Sequence, residues 1–155
     1  MLYRNRIFTL CKFLIKNKVN NDYKLEGMDK KNILIVDDSE TNLVLLEAIL
    51  EDDGYNVEKA YSAKEAIVSL TRSIPHLILL DLLMPNENGF DLLKRLKSNG
   101  IFKSIPIIIV TAFANQENRM MARELGAIDV IEKPINIPEF LDKISDALDV
   151  TVKDS

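Results

Sequence analysis

The sequence predicts an α/β domain in which a doubly wound, five-stranded parallel sheet is covered by five helices. Two observations lead to this prediction. Short apolar runs typical of strands alternate along the chain with longer segments of helical spacing. Three of these runs are almost wholly apolar, as expected for strands that are buried on both faces. Right-handed crossovers between parallel strands would place helices on both sides of such a sheet.

Five segments carry the strand pattern. They are residues 32–37 (NILIVD), 55–60 (YNVEKA), 76–81 (HLILLD), 106–111 (PIIIVT) and 128–132 (IDVIE). The first, third and fourth are the nearly all-apolar runs. In sheets of this class, functional sites form outside the carboxyl ends of the strands, near the point where the strand order reverses.

The four segments between these strands, and the segment after the fifth strand, carry helix start and stop signals. The first helix has an apolar stripe of Leu43, Leu46, Ile49 and Leu50 before Gly54, the second begins with a capping box of Ser62 and Glu65, and the third has a stripe of Phe90, Leu93 and Leu96 before Asn99 and Gly100. Asn115 caps the fourth helix, which ends at Gly126. Asn136 caps the fifth, which has Pro138 and Glu139 in its first turn and Phe140, Leu141, Ile144 and Leu148 facing inward.

Charge divides the chain into two parts. Residues 1–27 hold six Lys and Arg against two Asp and Glu, or about +4, whereas residues 28–155 hold fourteen against twenty-two, or about −8. We interpret residues 1–27 as a basic extension that is flexible or not native, because the compact pattern begins after Met28. Residues 28–150 would form the domain and 151–155 a short tail. The acidic domain is a poor candidate for binding nucleic acid.

Composition excludes several other classes of site. The single cysteine, Cys11, and the single histidine, His76, can form neither a disulfide framework nor a Cys/His zinc site. No apolar run approaches the length of a membrane span, so we expect a cytoplasmic protein. His76 precedes the third strand, at the end opposite to the acidic residues, and is interpreted as a strand-start residue and not as a phosphate carrier.

Polar residues stand where four of the strands end. They are Asp37 and Asp38 at the end of the first, Asp81 at the end of the third, Thr111 with the backbone amide of Ala112 at the end of the fourth, and Lys133 after the fifth. An isolated Asp pair is commonly just a turn before a helix. Two unit charges about 4 Å apart, however, repel by roughly 4 kcal/mol at an effective dielectric near 20, so three acids need compensation. A divalent cation would supply it, and an oxygen-only, hydrated site suits Mg²⁺ together with phosphate.

Four stretches make the pattern specific: ILIVDDSETN, LILLDLLMPNENGFDLL, IPIIIVTA and GAIDVIEKP. In their order and spacing, residues 32–149 resemble the receiver domain of two-component response regulators. The resemblance implies the flavodoxin-like receiver fold and a phosphoacceptor that takes a phosphoryl group from a sensor histidine kinase or a histidine phosphotransferase. Such a protein signals through a downstream protein partner or passes the phosphoryl group onward, and it is no enzyme beyond its own phosphorylation and dephosphorylation.

The resemblance also implies a role for each strand-end residue. Asp81 would be the phosphoacceptor, and Asp38, Asp81 and the Leu83 carbonyl would ligate Mg²⁺, with Asp37 acting through a metal-bound water. Thr111 and the Ala112 amide would hold phosphoryl oxygens, and Lys133 would pair with the phosphate. The family has a cis bond at the position of Lys133-Pro134, and we expect one here.

Three positions bear on signalling. Many receivers have Tyr or Phe where this sequence has Val130, so an aromatic rotamer switch is excluded there. Leu83 and Phe113 occupy positions that border the path of hydrolytic water in the family, and we expect a long-lived phosphoryl group.

Only DVTVKDS follows Leu148, which favours a single-domain, chemotaxis-regulator-like protein that is a monomer or weak dimer.

Two other functions fit the sequence less well. A magnesium-dependent aspartyl phosphohydrolase of the haloacid dehalogenase type needs a second acid two positions after its nucleophile, and Leu83 stands there after Asp81. A receiver that only docks partners without phosphorylation should have lost part of the site, whereas this sequence keeps all of it.

Overall fold

The structure, a computed structural model, describes residues 30–85 and 87–150 of the chain. The predictions for the extension 1–27, including Cys11, and for the tail 151–155 lie outside these residues. In chain order the elements are β1 (Asn32–Val36), α1 (Glu40–Asp52), β2 (Asn56–Ala60), α2 (Ala63–Arg72), β3 (Leu77–Leu80), β4 (Leu83–Met84), β5 (Glu87–Asn88), α3 (Gly89–Ser98), β6 (Ile107–Thr111), α4 (Gln116–Glu124), β7 (Asp129–Glu132) and α5 (Ile137–Val150).

Five strands form the main sheet in the order β2-β1-β3-β6-β7, and every neighbouring pair is parallel. The strand order reverses between β1 and β3, because the chain moves from β1 to β2 on one side and later to β3 on the other. The predicted doubly wound sheet with five helices is confirmed. Each predicted strand boundary agrees with the structure to within one residue.

Apolar side chains fill both faces of the sheet, because successive residues of a strand point to opposite sides. Leu34 and Val36 of β1 join a core cluster that also contains residues of α2, α3 and α4. Ile33 and Ile35 join a second cluster with residues of α1 and α5. β1, β3 and β6 are therefore held from both sides, and the residues that follow them start from a rigid base.

The predicted capping residues and glycines lie at the ends of the helices. Asn115 and Asn136 accept hydrogen bonds from the backbone N–H groups of Asn118 and Glu139, at 2.8 and 3.1 Å. Gly54 and Gly126 have φ of 98° and 100°, a conformation that favours glycine, just after α1 and α4. Among residues 30–85 and 87–150, no helix has both the length and the apolar content needed to cross a bilayer.

The capping box at the start of α2 differs from the expected form. Ser62 Oγ accepts a hydrogen bond from the Glu65 N–H at 3.1 Å, as predicted. The Glu65 carboxylate accepts from the Tyr61 N–H at 2.9 Å, one residue before the N-cap, and not from the N–H of Ser62 itself. The box thus extends one residue beyond the helix cap.

The loop after β3 contains a short antiparallel hairpin that the sequence did not predict. β4 pairs with β5, with Leu83 opposite Asn88 and Met84 opposite Glu87. Strands of two residues are too short to show a periodicity, which is why the pattern gave no sign of them.

His76 lies at the other end of the sheet, where its Nδ1 accepts a hydrogen bond from the Asn32 N–H at 3.0 Å.

Candidate functional site

Three carboxylates lie together at the carboxyl end of the sheet. Each of Asp37, Asp38 and Asp81 offers an oxygen within 4.8 Å of the others. Asp37 follows β1 and Asp81 follows β3, and the Asp81 N–H donates to the Val36 carbonyl at 2.9 Å, so the two strand ends are fixed side by side. Asp37 and Asp81 are buried and Asp38 is exposed. The cluster lies where the strand order reverses, as expected for a site in this class of sheet.

Lys133 bridges two of these acids. Its Nζ lies 2.6 Å from Asp37 Oδ2 and 3.2 Å from Asp81 Oδ2. The Lys133-Pro134 bond is cis, as expected from the resemblance. The Lys133 N–H donates to the Thr111 carbonyl at 3.0 Å, which fixes the lysine beside the end of β6. One ammonium facing three carboxylates leaves an excess of negative charge that a divalent cation would neutralise.

Protein donors occupy both oxygens of Asp37. Oδ1 accepts from the Ser39 N–H at 2.8 Å. The Asn42 amide Nδ2 donates to both carboxylate oxygens, at 3.1 Å to Oδ2 and 3.4 Å to Oδ1, and Lys133 shares Oδ2. Sequence reasoning does not identify Asn42; its place in the first turn of α1, five residues after Asp37, is the signal that could have found it.

The Asp81 carboxylate accepts fewer hydrogen bonds from protein groups than the Asp37 carboxylate does. Its Oδ1 accepts a single, longer hydrogen bond, from the Leu83 N–H at 3.3 Å, and its Oδ2 meets Lys133. Carboxylate oxygens are hard ligands, and Asp38 exposes the cluster to solvent beside the buried Asp81. The cluster therefore fits Mg²⁺, which retains several waters when bound.

The neighbouring strand β6 adds polar groups on the other side of Asp81. Thr111 ends β6 and is fully buried, and its Oγ1 accepts from the Phe113 N–H at 3.3 Å. Ala112 follows it and is exposed. The side chains of Leu83 and Phe113 are half exposed, at 50% and 52%. Each of Asp81 and Thr111 is therefore followed, two residues later in the sequence, by a half-exposed apolar side chain.

Comparison with known proteins identifies this arrangement. A family model, the response regulator receiver domain, matches residues 33–145. The chain belongs to this family. Receiver domains are parts of the response regulators of two-component systems, and the predicted family is confirmed.

Two relatives differ in how much of their own length this chain matches. The polar-differentiation response regulator DivK of Brucella ovis is 35% identical over 118 residues, which cover 76% of this chain and 96% of DivK. The response regulator PleD of Caulobacter vibrioides is 38% identical over 104 residues, or 67% of this chain and 23% of PleD. This receiver thus matches nearly all of DivK but less than a quarter of PleD.

Solved structures share the receiver fold. A CheY-like receiver domain protein from Methanospirillum hungatei JF-1 has a TM-score of 0.76 and 34% identity, covering 82% of this chain and 100% of its own. The signal receiver domain of a signal transduction histidine kinase from Syntrophus aciditrophicus has a TM-score of 0.73 and 34% identity, covering 81% and 94%.

Proposed function

We propose that this receiver takes a phosphoryl group onto Asp81 in the presence of Mg²⁺, from a histidine kinase or a histidine phosphotransferase. The observation that carries the proposal is the position of Asp81 between the acids after β1 and the ammonium of Lys133, 3.2 Å from its Oδ2. An Asp81 oxygen forms the new bond to phosphorus while the bond from phosphorus to the donor histidine nitrogen breaks. The histidine leaves with that electron pair.

The residues around Asp81 divide the remaining tasks. Asp38, Asp81 and the Leu83 carbonyl would hold Mg²⁺, and Asp37, whose two oxygens are already bonded to protein donors, would act through a bound water. When bound, the cation neutralises charge on the phosphoryl oxygens. Thr111, the Ala112 N–H and Lys133 would receive these oxygens. Such a site works by positioning and electrostatics, with little further covalent chemistry for the protein to perform.

The phosphorylated receiver would signal through a protein partner or pass the group onward to another histidine. Val130 lies in β7 with its side chain buried in the core, 1% exposed. An aromatic ring that turns inward on phosphorylation is therefore not available at this position. We infer that the signal depends on Thr111 and on movement of the loop and helix that follow it.

The direct test is to treat the full chain with acetyl phosphate and Mg²⁺ and to count added phosphoryl groups by intact mass spectrometry. We expect one group, absent when EDTA removes the metal and absent in Asp81→Asn. Asp52→Asn, at an exposed acid at the end of α1, is the matched control and should be labelled like the parent. Undiminished labelling of Asp81→Asn would contradict the assignment.

Two further outcomes separate the alternatives. Continuous release of phosphate from a simple phosphate monoester would indicate a phosphohydrolase. Failure of the parent chain to accept any phosphoryl group would favour a receiver that only docks partners.

A further inference from the structure

The β4–β5 hairpin lies between Asp81, the proposed phosphoacceptor, and α3. It carries Leu83, whose N–H donates to Asp81 Oδ1 at 3.3 Å and whose carbonyl is a proposed Mg²⁺ ligand. Each strand of the hairpin has only two residues, and an isolated two-stranded hairpin is marginally stable at best. The position of the Leu83 carbonyl therefore depends on what holds the hairpin in place.

The base of the hairpin is fixed by backbone packing. The Gly89 N–H donates to the Leu82 carbonyl at 3.0 Å. A Cβ atom at Gly89 would lie 2.4 Å from the Asp81 carbonyl oxygen and 2.6 Å from Leu82 Cα, so any side chain there would force the backbone to shift. This contact fixes the point where the hairpin joins α3, but it does not reach the strand pair itself.

A second contact fixes the hairpin at its second strand, β5. Glu87 Oε2 accepts a hydrogen bond of 2.6 Å from the Ala63 N–H, 24 residues away. Ala63 is the first residue of α2, where backbone N–H groups have no partner within the helix and the helix dipole favours negative charge. The bond is partly buried and charge-assisted, the stronger class of hydrogen bond.

We infer that Glu87 is a positioning residue for the magnesium site: by binding the first turn of α2 it holds the β4–β5 hairpin, and with it the Leu83 carbonyl, beside Asp81. The inference rests on the proposed function, and it assigns no contact between Glu87 and the cation. Glu87 lies directly opposite Met84, the residue after Leu83, in the hairpin register. Loss of its anchor therefore acts on the neighbouring peptide group.

The effect on metal affinity should be measurable. Removal of an outer hydrogen-bond partner typically weakens a metal site by 10- to 100-fold, and because Glu87 acts through the backbone we expect about tenfold. The rate of phosphorylation at saturating Mg²⁺ should return close to that of the parent, since Glu87 touches neither the nucleophile nor the phosphoryl group.

Of three substitutions, Glu87→Met and Ala63→Pro break the same contact from its two ends, and Glu87→Gln only weakens it. Glu87→Met removes the acceptor with little change in length, and Glu87→Gln retains an acceptor oxygen without the charge. Ala63→Pro removes the donor, and proline is well tolerated at the first helical position. Ser62 has φ −158° and ψ 163°, the extended conformation required before proline.

The experiment measures the Mg²⁺ dissociation constant of the unphosphorylated full chain by calorimetry, and the Mg²⁺ concentration that gives half-maximal labelling by acetyl phosphate. We expect both to rise about tenfold in Glu87→Met and in Ala63→Pro, and less in Glu87→Gln. The double variant should be no weaker than either single variant, because one contact is lost in each case. Amide exchange of Leu83 in metal-free protein should become faster.

Glu65→Gln is the matched control. It alters a carboxylate at the same helix end, which accepts from the Tyr61 N–H and forms no hydrogen bond to the described residues of the hairpin. It should lower thermal stability without moving the Mg²⁺ midpoint. A loss of stability in Glu87→Met with an unchanged Mg²⁺ midpoint would overturn the inference, as would effects that multiply in the double variant. If the parent binds no Mg²⁺, the proposed function itself fails, which is a different result.

Discussion

Lys133 and Asp37, 96 residues apart in the sequence, form an ion pair in which Nζ lies 2.6 Å from Oδ2. The Asp37 side chain is 2% exposed and that of Lys133 18%. The same ammonium meets Asp81, so it opposes the repulsion between two buried carboxylates. The Lys133 ammonium should therefore stabilise the fold when no metal is bound.

Lys133→Met should lower the free energy of unfolding in EDTA by about 2 kcal/mol, less than the roughly 3–5 kcal/mol of a fully buried pair because the lysine is partly exposed. Mg²⁺ should stabilise the variant more than the parent, since the cation replaces the lost charge. Urea denaturation with EDTA and with Mg²⁺ measures both effects.

Lys143→Met is the control for this prediction. Its ion pair with Asp129 also has a distance of 2.6 Å, but the two side chains are 30% and 28% exposed. We expect a loss of no more than about 1 kcal/mol, because this pair lies nearer to solvent than that of Lys133. Equal losses in the two variants would contradict a special role for the charge at the acid cluster.

Gly89→Ala should destabilise the domain by about 1–3 kcal/mol, the range for an atom added to a packed site, because the new Cβ would meet the backbone of Asp81 and Leu82. It should also reduce labelling of Asp81. Gly100→Ala is the control, since a Cβ there meets nothing within 4 Å. Thermal unfolding of the two variants distinguishes the positions, and similar melting temperatures would show that the loop yields at no cost.

Phospho-Asp81 should hydrolyse slowly for a receiver. Leu83 and Phe113 are half exposed beside the site, and neither can donate or accept a hydrogen bond to an attacking water. The double variant Leu83→Asn with Phe113→Glu should lose its label several-fold faster in Mg²⁺ without a partner. Ile101→Asn, at a side chain 65% exposed between α3 and β6, is the control. If the parent decays as fast as the double variant, these side chains do not set the lifetime.

A chain that begins at Met28 should fold and accept phosphate like the full chain, because every strand and helix signal lies downstream of that residue. We expect its melting temperature and its labelling by acetyl phosphate to match those of the full chain. A large loss of thermal stability would show that residues 1–27 pack on the domain. A loss of membrane or partner binding alone would assign the basic segment a binding role.

The sequence by itself determined the fold class, the strands and the positions of the acids. Apolar runs and caps act between residues a few positions apart, so β1, β3 and the helix caps follow from the local pattern alone. Asp37 and Asp81 could be placed together because parallel strands end at a common edge. Each of these inferences depends on local pattern and on a general rule of sheet geometry.

Only the tertiary structure decided which groups meet at that edge. The Asn42 amide on Asp37, the β4–β5 hairpin and the bond from Glu87 to Ala63 leave no periodic signal in the sequence. Lys133 was expected near the phosphate, but its division between Asp37 and Asp81 follows from the order of β1, β3, β6 and β7 in the sheet. Contacts of this kind form between residues that crossover connections bring together, so their partners are fixed by the packing of whole elements and not by neighbours in the chain.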